Sequence, residues 1–349
     1  MTDTPQDAPA LPYDPATDVP GFINVLIGIV PAQVLHALAA LGIPDYLADG
    51  ALTAEEVAER AGTHPRSTYR LMRAAASVGM LNYEGNRRFS LTGQGHLLRT
   101  GLPGSLRDLT LVQTGRAHWQ SWTVFPESVR EGTCQAKQAL GADIFDYYAR
   151  PENAAEAALF AESMADLSTL TVQGAVAALD TAGVSTVVDV GGADGQFVLE
   201  LMAAHPGLQG QVLDLAHAAE RASQKAGQRG LSGRFTAVAG DFFEKVPAAD
   251  LYLLKTILHD WDDERATAIL RNCRAAVHDG GRALIVETVV GEIGQPDFAV
   301  LSDMGMLAVT GGMERDLEEF DALFAVSGWH RGQTYPVGGG YFGIELSAA

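Results

Sequence analysis

His259 ends a run, Leu251-Tyr252-Leu253-Leu254-Lys255-Thr256-Ile257-Leu258-His259-Asp260-Trp261, that starts as an apolar strand and finishes as a turn. A neutral imidazole with a pKa near ~6.5 can take the proton of a phenolic hydroxyl whose pKa lies near ~10. A lone loop histidine more often packs than reacts, so its placement has to carry the argument. In open α/β sheets ligands gather outside the carboxyl ends of strands, and His259 falls there. Two carboxylates can join it. Glu287 ends the next strand-like run, Ala283-Leu284-Ile285-Val286-Glu287, and Glu314 follows the Gly311-Gly312 turn. A carboxylate beside an imidazole fixes its tautomer and stabilises the imidazolium that forms. Glu314 also fits a helix N-terminus ahead of Asp316–Phe324, where a negative charge is favourable.

A second constellation lies upstream, in Val187-Val188-Asp189-Val190-Gly191-Gly192-Ala193-Asp194-Gly195. It reads as a strand, a glycine-rich turn and a helix starting near Gln196, and glycines let backbone approach a ligand closely. A dinucleotide fingerprint needs glycines at 191, 193 and 196, but Ala193 and Gln196 occupy two of those places. The spacing instead fits Asp-x-Gly-x-Gly-x-Gly, the form that binds S-adenosylmethionine (SAM), with Ala193 in the middle position. Asp214, followed by Leu215, ends the next strand, where a carboxylate can accept from both ribose hydroxyls. The third strand ends at Asp241-Phe242, a pair suited to an adenine amino group and ring. Each acid alone could be a loop or cap residue. Three such sites ending three consecutive strands argue for one cofactor. The methyl acceptor would then lie beside His259, with a hydroxyl attacking the SAM methyl group as the histidine removes its proton.

The elements that position these groups are legible as alternating strands and helices. Strand-like runs fall at 185–190, 211–215, 234–238, 249–255 and 282–289, and two more at 329–336 and 341–347 close the chain. The helix after Trp261 carries Ala266, Ile269, Leu270, Cys273, Ala276 and Val277 at helical spacing and stops at Asp279-Gly280-Gly281. The fold class expected is α/β: a doubly wound, Rossmann-like sheet with a C-terminal antiparallel hairpin.

The N-terminal part differs. Residues 1–20 read as a flexible arm. In 21–100, Thr53 and Glu56 form a capping box, Ala61-Gly62 a turn, and Ser67 precedes a second helix. A hairpin follows over 81–83 and 88–91, turning at Glu84-Gly85-Asn86. Helix-turn-helix plus hairpin is the winged-helix pattern, with Arg66, Arg70 and Arg73 as the residues that would touch DNA. Residues 101–180 are a helical connection rich in rings: Trp119, Trp122, Phe125, Phe145, Tyr147, Tyr148 and Phe160, mostly expected in the core. The SAM-binding domain is expected over 181–349.

Composition narrows the partners. The chain of 349 residues is 47% hydrophobic and 19% charged, with net charge -19. That acidity argues against nucleic acid, whose phosphates need clustered Lys and Arg. The apolar stretch Gly21–Pro44 is broken by Asn24, Pro31, Gln33 and His36, which favours a buried helix over a membrane span. Cys134 and Cys273 have neither disulfide nor zinc spacing, consistent with a reducing cytoplasm. No metal-ligand spacing occurs, so no metal is expected.

These motifs resemble the caffeate-type O-methyltransferases of plants and bacteria, which include enzymes of antibiotic and pigment biosynthesis. The resemblance spans nearly the whole chain and is most specific at Leu254-Lys255-Thr256-Ile257-Leu258-His259-Asp260-Trp261-Asp262-Asp263. It implies a homodimer built on the winged-helix domain, His259 as base and Glu287 and Glu314 as its flanking acids. It implies cofactor contacts from Ser168, Asp189, Gly191, Asp214, Leu215, Asp241, Phe242 and Lys255. Met164 and Met306 would sandwich the acceptor ring, with Asp260 also on the acceptor; methionine fills cores equally well. Ala193 and Asp194 depart from the family's Gly and Thr, and Phe242 from its common Met. The alternatives are a SAM-binding relative that hydroxylates or decarboxylates instead, and a winged-helix DNA-binding regulator.

Overall fold

The computed structural model describes residues 13–348. Residues 1–12 of the expected arm lie outside that range, and the remainder is not all arm, because a helix begins at Asp18. The chain divides into two compact units, one ending at Gly115 and one starting at Arg116.

In the first unit the capping box forms. Thr53 Oγ1 accepts from Glu56 N–H at 3.2 Å, and Glu56 accepts from Thr53 N–H at 2.7 Å. The following helix runs Ala54–Ala61. The next starts at Pro65 rather than after Ser67, since proline at the first helical position has no N–H to leave unpaired. Strands β1 (Leu52–Thr53), β2 (Leu81–Tyr83) and β3 (Arg88–Leu91) make a small sheet in the order β1-β3-β2. Leu38, Ile43, Met72 and Phe89 pack its core, completing a winged helix. The apolar stretch before it forms two helices, Asp18–Leu26 and Ile29–Ala40. By length and composition the pair could cross a membrane. Only the second buries residues within the chain, Val34, Leu38 and Ala39. Phe22, Val25 and Leu26 on the first are 69%, 82% and 60% exposed within the single chain.

The second unit opens with helices. Of the seven rings expected mostly in its core, only Tyr147 is buried, while Trp119, Trp122 and Phe145 are exposed. The seven-stranded sheet follows: β4 (Thr186–Val190), β5 (Gln209–Asp214), β6 (Phe235–Ala239), β7 (Ala249–Lys255), β8 (Val277–Thr288), β9 (Trp329–Gly338) and β10 (Tyr341–Ala348). Their order is β6-β5-β4-β7-β8-β10-β9. The first five strands are parallel, and β10 pairs antiparallel with both β8 and β9. Apolar clusters cover both faces, one around Leu254, Ile285 and Trp329, the other around Val187, Leu253 and Val286. Near-continuous burial on both sides explains why β4 and β7 read as largely apolar runs.

The order β4-β7-β8 decides the site. The strand carrying the glycine turn, the strand carrying His259 and the strand carrying Glu287 are consecutive neighbours, so three carboxyl ends meet at one rim.

Candidate active site

Lys255 ends β7 and pairs with Val286 of β8, one residue before Glu287. Thr256 then adopts φ 52°, a left-handed conformation unusual for a β-branched residue, and Leu258–Asp260 form a single 3-10 turn. Glu287, fully buried, organises that turn. Its Oε1 accepts the backbone N–H groups of Ile257, Leu258 and His259 at 3.0, 2.9 and 3.4 Å. Its Oε2 lies 3.7 Å from His259 Nδ1. Glu314 Oε1 lies 3.5 Å from the same nitrogen, and Asp260 Oδ1 lies 3.7 Å from Nε2.

The electrostatics follow from this crowding. Burial alone would push the His259 pKa down, but Glu287, Glu314 and Asp260 outweigh it and raise it to about 9. Burial raises Glu287 to about 7 against the pull of His259, and burial likewise raises Asp260. Burial also works upward on Glu314, yet the nearby His259 and the hydroxyls of Thr288 and Ser302 bring it below its ordinary value. The arrangement can hold a proton on one imidazole while a carboxylate charge steadies it.

Glu314 is not a helix cap. Asp316 caps the helix Leu317–Ser327 in a capping box with Glu319. Glu314 instead turns into the site, where Ser302 Oγ donates to Oε1 at 2.9 Å and Thr288 Oγ1 donates to Oε2. Its backbone N–H donates to Asp303 at 2.9 Å. The close approach depends on Gly312, whose Cβ would stand 2.0 Å from the His259 carbonyl oxygen.

At the glycine turn, Gly191 has φ 68°, and a Cβ there would stand 2.5 Å from Ile257. Ala193 also takes a positive φ, 51°. Asp214 accepts from the Ala193 and Leu215 N–H groups at 2.8 and 2.6 Å, so its carboxylate is fixed at the lip of the turn. Leu215 beside it is 60% exposed. Asp241 is exposed and accepts from Phe243 N–H, while the Phe242 ring packs edge-on against Phe243 and Trp261. Asp189 occupies a different setting. It is buried beneath the turn, accepts from Val198 N–H at 3.3 Å, and burial raises it to about 7. Burial lowers the Lys255 pKa, opposed by Asp189 and Glu287, and its Nζ lies 3.0 Å from Thr256 Oγ1. A glycine turn with a fixed Asp214, an exposed Asp241 and a flat ring suits a nucleoside with two ribose hydroxyls.

Two helices flank the rim. On Ala154–Ala178, Ser168 Oγ donates to Met164 O, and the neighbouring Thr169 receives Gln196 Nε2 at 3.1 Å from the helix after the glycine turn. On Phe298–Val309, half-buried Met306 reaches the Gly312 turn: its Cε would be 2.9 Å from a Cβ there. Met306 is thus linked to the His259 turn through Gly312, whereas Met164 is placed only beside Ser168. Thr288, Ser302, Asp303 and Arg315 were missed from the sequence. Arg315 alone left a signal, an arginine directly after a site glutamate.

His259, Glu287 and Glu314 present ligand atoms within 4.8 Å of one another, a cluster that could hold a cation and that sequence spacing concealed. Its donors are only partly engaged: His259 Nδ1 and Glu287 Oε2 are buried without a hydrogen-bond partner. Glu287 Oε1 serves three N–H groups, and both Glu314 oxygens accept hydroxyl protons.

Residues 122–330 match the O-methyltransferase domain and residues 23–101 the O-methyltransferase dimerisation domain. Phenazine O-methyltransferase of Lysobacter antibioticus is 33% identical over 325 residues, covering 93% of this chain and 94% of its own. O-demethylpuromycin-O-methyltransferase of Streptomyces alboniger is 36% identical over 317 residues, covering 88% and 83%. The structure is also similar to that of an O-methyltransferase from neocarzinostatin biosynthesis, solved with SAM and 2-hydroxy-5-methyl naphthoic acid. Its TM-score is 0.76 at 33% identity, with 92% of this chain and 96% of that one covered.

Proposed function

The chain belongs to the small-molecule O-methyltransferase family and is SAM-dependent, and on that premise we propose that His259 is the general base that deprotonates a hydroxyl on a small aromatic acceptor. The observation that carries this is Nδ1 of His259 held within 3.5 and 3.7 Å of two buried carboxylates. Those two acids face Nδ1, and Nε2, with Asp260 Oδ1 at 3.7 Å, is the nitrogen assigned to the acceptor hydroxyl. Glu314 and Glu287 then stabilise the imidazolium as the proton arrives.

Bound SAM supplies an electrophilic methyl group on a cationic sulfur. Asp214 accepts from the ribose hydroxyls, Asp241 from the adenine amino group, and Phe242 offers the ring a flat apolar face. Gly191 gives the backbone room, with Leu215 beside the ribose and Ser168 and Lys255 near the amino-acid end. Asp189 holds the turn from beneath. Met164 and Met306 line the acceptor ring and Asp260 meets its polar edge. The protein's contribution is alignment plus proton removal, since the leaving group is already good.

The acceptor class, a phenol, quinone or aromatic polyketide of secondary metabolism, draws on relatives named for a phenazine and an O-demethylpuromycin. A homodimer is part of the same reading: the exposed apolar helix Asp18–Leu26 lies at the start of the region matching the dimerisation domain, which begins at residue 23. Both cysteines are free thiols, which suits a cytoplasmic enzyme.

The decisive experiment is His259→Ala, assayed with SAM and a panel of phenols, quinones and polyketides by mass spectrometry. Turnover should fall by roughly 10²–10⁴ with SAM affinity retained in calorimetry. Turnover equal to wild type near neutral pH would end the general-base reading.

A further inference from the structure

We infer that Arg315 is a positioning residue for His259, an inference that rests on the general-base reading above. Its guanidinium is fully buried, and its hydrogen bonds go to the backbone around His259 and to Asp263. Nη1 donates to Leu258 O at 2.9 Å and Nη2 to Trp261 O at 2.8 Å, the carbonyls on either side of the catalytic turn. Nε and Nη2 both donate to Asp263 Oδ1, at 3.0 and 2.8 Å. Between those anchors Met313 N–H donates to His259 O at 2.8 Å. Arg315 is itself tied to the sheet, its carbonyl accepting Val290 N–H at 3.0 Å.

The turn is therefore gripped on both of its polar sides. Glu287 takes the N–H groups of residues 257–259, and the Met313–Arg315 segment takes the carbonyls of 258, 259 and 261. The same segment delivers Glu314 to Nδ1. One short stretch thus fixes both the backbone of the base and the acid that orients its ring. The planar, five-donor guanidinium is what allows one side chain to bridge two carbonyls and a carboxylate; an ammonium is a point charge without that reach.

A residue that only filled the core would affect folding and every activity alike. A positioning residue affects the step its client performs. The test is a cycle of Arg315→Lys in the wild-type and His259→Ala backgrounds, with SAM affinity and melting temperature measured alongside turnover. In the wild-type background kcat should drop about 10- to 100-fold, the size expected of an ångström-scale misplacement, with SAM Kd unchanged within about twofold. In the His259→Ala background the same substitution should change kcat by less than about twofold, because its client is gone. Asp263→Asn gives a second measurement that does not disturb the core, since the Asp263 side chain is 70% exposed. It should lower kcat in the same background-dependent way, by a smaller factor. Equal losses in both backgrounds, or unchanged kcat in folded Arg315→Lys and Asp263→Asn, would overturn the inference. Wild-type turnover in His259→Ala alone would instead overturn the general-base reading, and the Arg315 role with it.

Discussion

Glu287 holds His259 twice: Oε1 accepts the His259 backbone N–H at 3.4 Å, and Oε2 stands 3.7 Å from the imidazole Nδ1. One carboxylate thereby sets both the position and the charge of the ring. Glu287→Gln separates the two roles. The amide oxygen can keep the backbone bonds, but the negative charge disappears. Turnover should fall by about 10- to 100-fold with little change in SAM affinity, a fraction of the full general-base contribution. Steady-state kinetics with calorimetry checks this, and an unchanged kcat would limit Glu287 to holding the turn.

The pH profile should be alkaline. His259 is raised to about 9 in the protein without cofactor, and a base must be neutral to act. The rate constant kcat/KM for SAM, which reports the free enzyme, should therefore rise with pH and level near 9. A cationic sulfonium nearby disfavours imidazolium, so kcat should level at lower pH than kcat/KM. Identical limbs in the two profiles would contradict the sulfonium's placement beside His259.

Asp214→Ala should weaken SAM binding by about 1.5–3 kcal/mol, the range for hydrogen bonds to a charged group. Part of that loss comes from the Ala193 and Leu215 N–H groups, which Asp214 now satisfies. Titration calorimetry is the direct measurement. Unaltered affinity would remove Asp214 from the cofactor site.

The carboxylate cluster around His259 makes a chelator experiment informative. Activity should survive dialysis against EDTA, because Glu287 Oε1 and both Glu314 oxygens already accept N–H and O–H groups, which leaves Glu287 Oε2 and His259 Nδ1 as the uncommitted donors. Loss of turnover that a divalent cation restores would reassign the three residues as metal ligands.

The outer exposed face of Asp18–Leu26 offers the assembly prediction. Val25→Asp, at a position 82% exposed, should leave the fold intact while shifting sedimentation from dimer to monomer. A variant that sediments as wild type would place the dimer contact elsewhere.

What the sequence disclosed were strand ends. β4, β7 and β8 carry strong apolar signals, so the groups at or just beyond their carboxyl ends, Gly191, His259 and Glu287, are expected on one rim from the sequence. The capping box at Thr53 was equally readable, because its partners are three residues apart. Other features depend on the third dimension. Ser302 and Thr288 meet on Glu314 from separate elements, and neither carries a spacing signature. The depth of Asp189 is another such feature: β4 lies inside the sheet, and its side chain is buried below the turn. The ring-rich stretch misled for a different reason: aromatic residues suggest a core, yet Trp119, Trp122 and Phe145 stay exposed on short helices.

The division of labour between sheet and helices has a practical side. His259, Glu287 and Glu314 hang from strand ends and from the segment that locks onto them, whereas Met164 and Met306 project from Ala154–Ala178 and Phe298–Val309. On our reading of the acceptor site, libraries confined to those two helices that leave Ser302 and Asp303 unchanged would alter the shape offered to an incoming ring without touching the hydrogen bonds to Glu314. Acceptor scope becomes a quantity to be selected in the laboratory, with methyl-transfer chemistry as the constant background against which variants are ranked.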